Sequence, residues 1–525
     1  MALPELEYSP ALGAGRRSLP TGRRPSVATG AAAALGILTG LGVATGNGTL
    51  VFALALLLAA FAVGLVNWRW SLYGLLLYLP FAGLPSLALY PNKGPGVLAK
   101  DFLFVLPAYA GFFGAYVAQR RRIVFDGAPI PLFGLVGLIV LAQAFNPSIP
   151  SPLVALIGLK VWLLYVPLFF LGYHFIRSKE DIDRVLWLMC LAAIIPAIIG
   201  IVEAVLIYGG KSAFVYSLYG AAAAEATQGF AGIEVGGSFI RRVPSTFTFV
   251  FQYAMFVTSM VAIAHAAWRG SSRRGGLVRP GIYALMIVAA FLSGSRFVFV
   301  TVPLIIVFIS ILDGRSWTRS AGVLLGALTA LLLASSVFGT GFVSLLGHLV
   351  SHTGHQFDLI VVKGVRQALD ITWIGLGTGT DTIASRYAFD RTQLFSGIGG
   401  WQESWWVKAW LELGIIGLIA VMALLGSIMG RALRGHRALR DPQLRTISAS
   451  IIALLCVALF SGIKQQYMDL DPLNVYFWLF AGILMKLFAL DRAGTGTQHR
   501  PATGVAGGPA NALSRHRRPA DTAAR

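Results

Sequence analysis

Three arginines in this chain have the type and placement expected of a phosphate-binding site. Arg241 and Arg242 immediately precede Val243-Pro-Ser-Thr-Phe and an apolar run, and Arg296 closes Ser293-Gly-Ser-Arg between two further apolar runs. A guanidinium stays charged at any pH and makes paired hydrogen bonds to phosphate oxygens. The distribution of lysine and arginine along the chain predicts that all three lie at the outer membrane interface. They fit a ligand that carries a pyrophosphate at the headgroup plane, with contact to lipid headgroups as the alternative.

Glu403 is the carboxylate placed best for proton transfer. Trp401, Trp405 and Trp406 surround it in the sequence, just before a long apolar run. An aromatic neighbourhood raises the pKa of a carboxyl group and fits it for general-base work. The same tryptophans are also typical of an interfacial aromatic belt.

Other charges and turns in the apolar part of the chain have two interpretations each. Lys160 has no adjacent acid, so substrate binding and snorkelling to the outer surface are both open. Lys100 precedes Asp101, and the pair is expected to neutralise itself at a helix end. The glycines of Gly375-Leu-Gly-Thr-Gly379 follow no strand of a βαβ unit and predict a flexible turn.

Three histidines are spaced four and three residues apart before that turn, at His348, His352 and His355. This spacing places them on one helix face and permits a metal site. Because only a remote Asp358 accompanies them, solvated interfacial histidines are the prediction, and we expect neither a metal nor a cofactor.

Composition defines the broad class of the protein. Of the 525 residues only 12% are charged and 56% are hydrophobic, and the mean hydropathy is +0.72. Apolar runs recur from about residue 29 to about residue 490, which predicts an all-α, polytopic integral membrane protein and excludes soluble domains. The net charge of +20 does not indicate nucleic acid, because the basic residues punctuate the apolar runs instead of clustering.

About fourteen membrane spans follow from runs of bilayer length. The pair 281–294 and 297–312 is the shortest, and one long tilted helix is the alternative there. The resulting division is a disordered cytoplasmic tail over 1–27, spans 1–11 over 28–337, a large, partly helical external loop over 338–405, spans 12–14 over 406–490 and a basic cytoplasmic tail over 491–525. The spans are predicted near 28–46, 49–66, 70–90, 97–118, 129–145, 153–172, 186–207, 245–266, 281–294, 297–312, 321–337, 406–430, 447–464 and 472–490.

Lysine and arginine counts set the orientation. Short loops assigned to the inside carry most of these residues, as the positive-inside rule requires. The protein is therefore predicted to be a multi-pass membrane protein with both termini in the cytoplasm. No internal repeat of the kind found in inverted-repeat transporters is evident.

The order of these features resembles the O-antigen ligase and O-antigen polymerase superfamily. The likeness covers roughly residues 150–490. It rests on Arg241-Arg242-Val-Pro-Ser-Thr-Phe, on Ser295-Arg296, on the external Gly375 and Gly377 turn, and on Trp410-Leu-Glu-Leu-Gly-Ile-Ile-Gly417. The resemblance implies a metal-independent, all-helical glycosyltransferase that uses sugars carried on undecaprenyl pyrophosphate. It places Arg296 and one or both of Arg241 and Arg242 on the pyrophosphate.

Two departures from the family pattern refine this expectation. Ligases of the superfamily commonly carry His where this chain has Glu403, eleven residues before Gly414, which favours a polymerase of surface or secreted polysaccharide. The loop cations Lys363 and Arg366 lie closer to the glycine turn than in family members. They are assigned supporting roles in substrate binding, together with Lys160 and Trp405.

The predicted reaction is a single inverting displacement. Glu403 takes the proton of an acceptor sugar hydroxyl, and the arginines offset the charge on the departing lipid diphosphate. The expected partners are the lipid-linked donor, a glycan acceptor, the bilayer and a chain-length regulator, with no nucleic acid. Transfer to a lipid or protein acceptor, a lipid-linked saccharide flippase and a non-enzymatic assembly subunit are the alternatives.

Overall fold

A computed structural model describes residues 48–120, 129–223, 232–235, 238–271, 276–314, 357–387 and 402–498, together with three single positions at 329, 332 and 347. Apart from one short hairpin, the described elements are helical. Several predicted features lie outside the described residues. They are the span near 28–46, the span near 321–337 except for positions 329 and 332, both predicted tails except for residues 491–498, and the three loop histidines.

The elements follow the apolar runs of the sequence. In chain order they are α1 (Gly48–Val66), α2 (Trp68–Tyr78), α3 (Gly83–Ala88), α4 (Gly94–Ala118), α5 (Ile130–Gln143), α6 (Pro152–Leu163), α7 (Leu168–Phe175), α8 (Lys179–Tyr208), α9 (Ser212–Ser217), β1 (Gly232–Val235), β2 (Ser238–Arg241), α10 (Val250–Arg269), α11 (Val278–Leu292), α12 (Val298–Leu312), α13 (Lys363–Ile371), α14 (Trp405–Ala438), α15 (Pro442–Lys464) and α16 (Leu473–Gln498). Short 3-10 turns and two π-helical turns complete the described chain.

Seven helical stretches in the described part of the chain are long and apolar enough to cross a membrane. They are Gly94–Ala118, Pro152–Phe175, Lys179–Tyr208, Val250–Arg269, Trp405–Ala438, Pro442–Lys464 and Leu473–Ala493. A bilayer requires helices because its core offers no water to satisfy backbone N–H and C=O groups. α1, α5, α11 and α12 are apolar but shorter. The short pair of runs predicted near 281–294 and 297–312 forms two helices and not one long helix, since α11 and α12 are separated by residues 293–297.

The interior of the bundle is formed mainly by α10, α15 and α16, whose apolar side chains are largely buried. α10 packs against α8, α11 and α15, and α16 packs against α7. Many large apolar side chains on α1 and α8 are instead exposed. In a helix of this hydropathy, such an exposed apolar face is what a lipid environment requires.

α14 is interrupted at Gly414, which has φ 74° and ψ 178°. The interruption frees carbonyl groups of the preceding turn, and the glycine-rich segment fills the gap: the Leu376 N–H donates to the Leu411 carbonyl at 2.7 Å, and the Gly377 N–H donates to the Glu412 carbonyl at 3.2 Å. A Cβ on Gly414 would lie 2.2 Å from the Ile374 carbonyl oxygen. Only glycine fits this backbone and this contact.

Candidate active site

A backbone contact brings Arg242 and Arg296 to the same place. The Val243 N–H donates to the Ser293 carbonyl at 3.3 Å. Gly294 has φ 73°, and a Cβ there would lie 2.3 Å from the Arg241 carbonyl oxygen. The chain after β2 therefore runs directly along the α11–α12 hinge. This contact joins two segments that are about fifty residues apart in the sequence.

Arg242 is the more deeply buried of the two arginines. Its side chain is 6% exposed, and its guanidinium carbon lies 4.9 Å from the centre of the Phe251 ring. Within the described chain its Nε has no hydrogen-bond partner. Burial lowers the pKa of Arg242, and this lowering is opposed by Tyr467 and by the carboxylate of Glu403. A buried guanidinium with unused donors is suited to an anionic ligand.

Arg296 is half-buried beside Arg242. Burial, and then the like charge of Arg242, lower its pKa from the ordinary value to about 10. Two guanidiniums side by side in a partly desolvated place repel one another, and an anionic ligand bound between them would relieve that repulsion. Charged groups perturbed in this way are concentrated at binding sites.

Glu403 lies close to Arg242 and to a further cation, Lys464. Burial raises its pKa, while the positive charge of Lys464, a hydrogen bond with the Gln465 side chain and the charge of Arg242 oppose that rise. Lys464 and Gln465 lie at the carboxyl end of α15, so the end of this helix places a third cation near the two arginines. A half-buried carboxylate in such surroundings is a candidate general base.

Aromatic rings form the wall of this site. Phe297 is stacked against Tyr467, with ring centres 5.7 Å apart, and against Phe460 at 6.1 Å. Lys464 lies over Phe297 at 5.9 Å, and Phe251 contacts Tyr467 edge-on at 6.4 Å. Tyr467 is buried, and burial raises its pKa well above the ordinary value. We call Arg242, Arg296, Glu403, Lys464 and Tyr467 the cationic cluster.

Arg241 is directed elsewhere. Its Nη1 donates to the Tyr216 hydroxyl at 3.0 Å, and its backbone is hydrogen-bonded to Tyr208 on α8. Neighbouring side chains on an extended strand point to opposite faces. Of the predicted arginine pair, Arg242 therefore belongs to the cationic cluster, and Arg241 holds β2 against α8 and α9.

Lys160, which has no adjacent acid in the sequence, has an acidic partner in the fold. Its ammonium lies 2.9 Å from Asp101. Asp101 also accepts from Lys100, and Lys100 in turn contacts Asp471 at 3.0 Å. The expected Lys100–Asp101 pair is thus present within a larger buried ion network, to which the Tyr165 hydroxyl donates.

Trp405 lies in the interior of the bundle. Its side chain is 6% exposed, and its indole N–H donates to Asp469 at 2.8 Å. Asp469 is paired with Lys408, and Trp405 packs against Trp162 at 5.3 Å. These contacts fix the orientation of the indole, and a role in substrate binding stays a prediction.

The remaining loop residues occupy the helix α13. Lys363 and Arg366 are exposed there, while Ala368 on the opposite face packs against Val407 and Leu411 of α14. Both cations are accessible to a ligand. The glycine turn that follows α13 is not the flexible turn expected from sequence, because Thr378, Thr380 and Asp381 are buried and the turn is bonded to α5 and α14.

Sequence reasoning missed two members of the cationic cluster. Lys464 appears in the sequence as a basic residue on the side assigned to the exterior, but nothing near it in the chain indicates a partner. Tyr467 carries no sequence signal, because its role depends on a 3-10 turn, Tyr467–Asp469, that follows α15. In the described residues no group of histidine, cysteine and acidic side chains has the geometry of a metal site.

No protein-family model matches this chain, and no curated protein is similar to it.

Proposed function

We propose that this chain is an inverting glycosyltransferase of the cytoplasmic membrane that polymerises saccharide units carried on undecaprenyl pyrophosphate. The observation that supports the proposal best is the placement of Arg242 and Lys464 beside one carboxylate, Glu403, with Arg296 close to both of these cations. Three cations close to one carboxylate in the described part of the chain suit an anionic ligand. A dianionic diphosphate is the kind of ligand that would complete the charge balance.

The proposed topology has about fourteen spans, an external loop over 338–405 and both termini in the cytoplasm. It is supported by the seven long apolar helices and by the four shorter ones, whose bounds follow the runs that the positive-inside rule orients. In this orientation the cationic cluster faces the exterior, where a carrier lipid would present its head group.

The proposed reaction assigns one role to each side chain. The acceptor hydroxyl oxygen attacks the anomeric carbon, the bond from that carbon to the pyrophosphate oxygen breaks, and its electron pair stays on the carrier diphosphate. The proton of the attacking hydroxyl passes to Glu403. Arg242 and Arg296 offset the charge that grows on the leaving group, a contribution typically worth roughly 3 kcal/mol for one well-placed donor. One displacement inverts the configuration.

Polymer length in cells tests this assignment. Arg296→Ala and Glu403→Gln are expected to abolish long polymer at normal protein levels, whereas Arg434→Gln, which changes an exposed arginine at the other end of α14, is expected to leave it intact. If both site variants make full-length polymer, the site assignment is wrong.

A ligase that transfers the glycan to a lipid or protein acceptor would use the same cluster, and the presence of Glu403 where ligases commonly carry His is what favours the polymerase. Incubation of the purified protein with the lipid-linked donor alone separates the two activities. A polymerase lengthens the donor's own glycan, and a ligase requires an added acceptor.

A carrier for lipid-linked saccharides is the second candidate. The observation in its favour is the burial of Lys100 and Asp101 inside the apolar stretch Gly94–Ala118, since charges at membrane depth are typical of transport pathways. Movement of a fluorescent lipid-linked saccharide between vesicle leaflets, without any new glycosidic bond, would favour the carrier.

A further inference from the structure

A second candidate site lies beside the cationic cluster. A cavity of about 130 Å³ is lined by α3, α4, α6, the start of α10, residues 382–384 and residues 469–474. This volume is roughly ten times the 10–15 Å³ that holds one water molecule. The cavity therefore has room for a small organic ring. It is distinct from the apolar space of about 40 Å³ around Trp405.

Most charged side chains in the wall of this cavity are held in ion pairs. Lys100 contacts Asp101 and Asp471, each at 3.0 Å, and Lys160 contacts Asp101 at 2.9 Å. Asp469, also in the wall, is paired with Lys408. Lys93 lines the cavity as well and is partly exposed. Because the other four charged residues of the wall are engaged in ion pairs, we expect that part of the wall to favour a neutral ligand over a phosphate or a carboxylate.

Unused hydrogen-bonding capacity remains in the same wall. The Ser86 side chain is 1% exposed, and its Oγ has no hydrogen-bond partner within the described residues. The same holds for Oδ1 of Asp471. Lys160 has three N–H donors and is partly exposed, with one donor directed to Asp101. Buried polar atoms without partners are costly unless a ligand or water satisfies them.

The cavity and the cationic cluster are built on the same two segments. Phe251 lies under Arg242, while the neighbouring Phe249 and Gln252 line the cavity. In the same way Tyr467 belongs to the cluster, and Asp469 and Asp471 line the cavity. A ligand that carried a diphosphate and an attached ring would therefore have a place for each part.

We propose that this cavity binds one uncharged sugar ring of the saccharide, through Ser86, Lys160 and Asp471. A sugar ring offers several hydroxyl groups, each both a donor and an acceptor, and carries no charge. These properties match a wall whose buried charges are ion-paired and whose Ser86 and Asp471 oxygens have unused hydrogen-bonding capacity. The inference rests on the proposed function for the presence of a saccharide, but it concerns a separate set of residues.

Protection of an engineered thiol tests the cavity directly. Ser86→Cys is made in the full-length protein after Cys190→Ala and Cys456→Ser, and the rate of its modification by a small neutral thiosulfonate is measured in detergent. Neutral methyl hexosides and inorganic pyrophosphate are the competing probes. Ser71→Cys is the matched control, because Ser71 is also buried, also lacks a partner for its Oγ in the described chain and does not line the cavity.

We expect at least one methyl hexoside to slow modification of Cys at position 86 by fivefold or more, with no effect at position 71 and no effect of pyrophosphate. Failure of every hexoside to protect would overturn the proposal, as would protection by pyrophosphate or a thiol that the reagent never reaches. None of these results depends on catalysis, so loss of polymer in the Arg296→Ala variant remains a separate test of the proposed function.

The bound ring could belong to the glycan donor or to the acceptor. To distinguish these two sources, Arg296→Gln is added to the Ser86→Cys protein, and the lipid-linked saccharide is used as the competitor. A donor ring is anchored through its diphosphate, so Arg296→Gln should weaken the protection by tenfold or more. An acceptor ring should protect equally in both proteins. Absence of protection by the lipid-linked saccharide in either protein would contradict the assignment of this cavity to the saccharide.

Discussion

Replacement of Arg296 should make the unliganded protein more stable while it destroys the proposed activity. Burial and the charge of Arg242 lower the pKa of Arg296 well below its ordinary value, to about 10. A change of one pH unit in a pKa corresponds to about 1.4 kcal/mol, so the charged form is disfavoured by about 3 kcal/mol. Because water screens part of a half-buried side chain, we expect Arg296→Gln to relieve about 1–2 kcal/mol of this cost.

Thermal unfolding in detergent measures the effect, which for a chain of this length is a rise in Tm of about one to two degrees. A short-chain polyprenyl pyrophosphate should reverse the order of stability. At one hundred times its Kd, such a ligand stabilises the wild-type protein by about 2.7 kcal/mol, and the variant should gain much less. Arg434→Gln is the control for loss of an exposed arginine, and its Tm should change little.

A lower Tm of the unliganded Arg296→Gln protein would contradict this prediction, because the contacts of Arg296 would then be attractive on balance. Equal stabilisation of the variant and the wild-type protein by the pyrophosphate ligand would contradict it as well. Either outcome would mean that the cationic cluster is not a diphosphate site.

Three further predictions concern the parts that support the site. Gly414→Ala should prevent correct folding, since the backbone there is strained for any other residue and the added methyl would lie 2.2 Å from a carbonyl oxygen. A fluorescence-detected gel filtration profile measures the effect. Gly426→Ala is the control, because a Cβ there meets nothing within 4 Å and the helix should tolerate the change. Glu403 must lose its proton to act as a base, and burial raises its pKa. The rate of glycosyl transfer should therefore rise with pH through a midpoint above 4.5, and Glu403→Gln should abolish that rise. An unchanged pH profile in the variant would exclude Glu403 as the base. Asp101→Asn should cost roughly 3–5 kcal/mol, because it leaves two lysine charges beside a single remaining carboxylate. Tm measurements should show a fall of roughly three to five degrees, and an unchanged Tm would mean that the network is not needed for stability.

Composition and local pattern were enough to define the class of protein and most of its helices. Uncharged runs of bilayer length become helices wherever they occur, because the backbone must satisfy its own hydrogen bonds in an apolar medium. For this reason the predicted runs near 49–66, 186–207 and 472–490 agree with helices at Gly48–Val66, Lys179–Tyr208 and Leu473–Gln498. The unusual cations were also visible in the sequence, because a charge beside an apolar run is rare and costly.

Tertiary structure alone decided which of these charges meet. Arg241 and Arg242 are indistinguishable in the sequence. Consecutive side chains of an extended backbone point to opposite sides, so Arg241 contacts Tyr216 and Arg242 lies in the cationic cluster. Lys160 looked free of acids because its partner, Asp101, lies on another helix. Local sequence determines which segments become helices. The partner of a buried charge depends on which distant segments pack together, and the periodicity of the sequence carries no information about that packing.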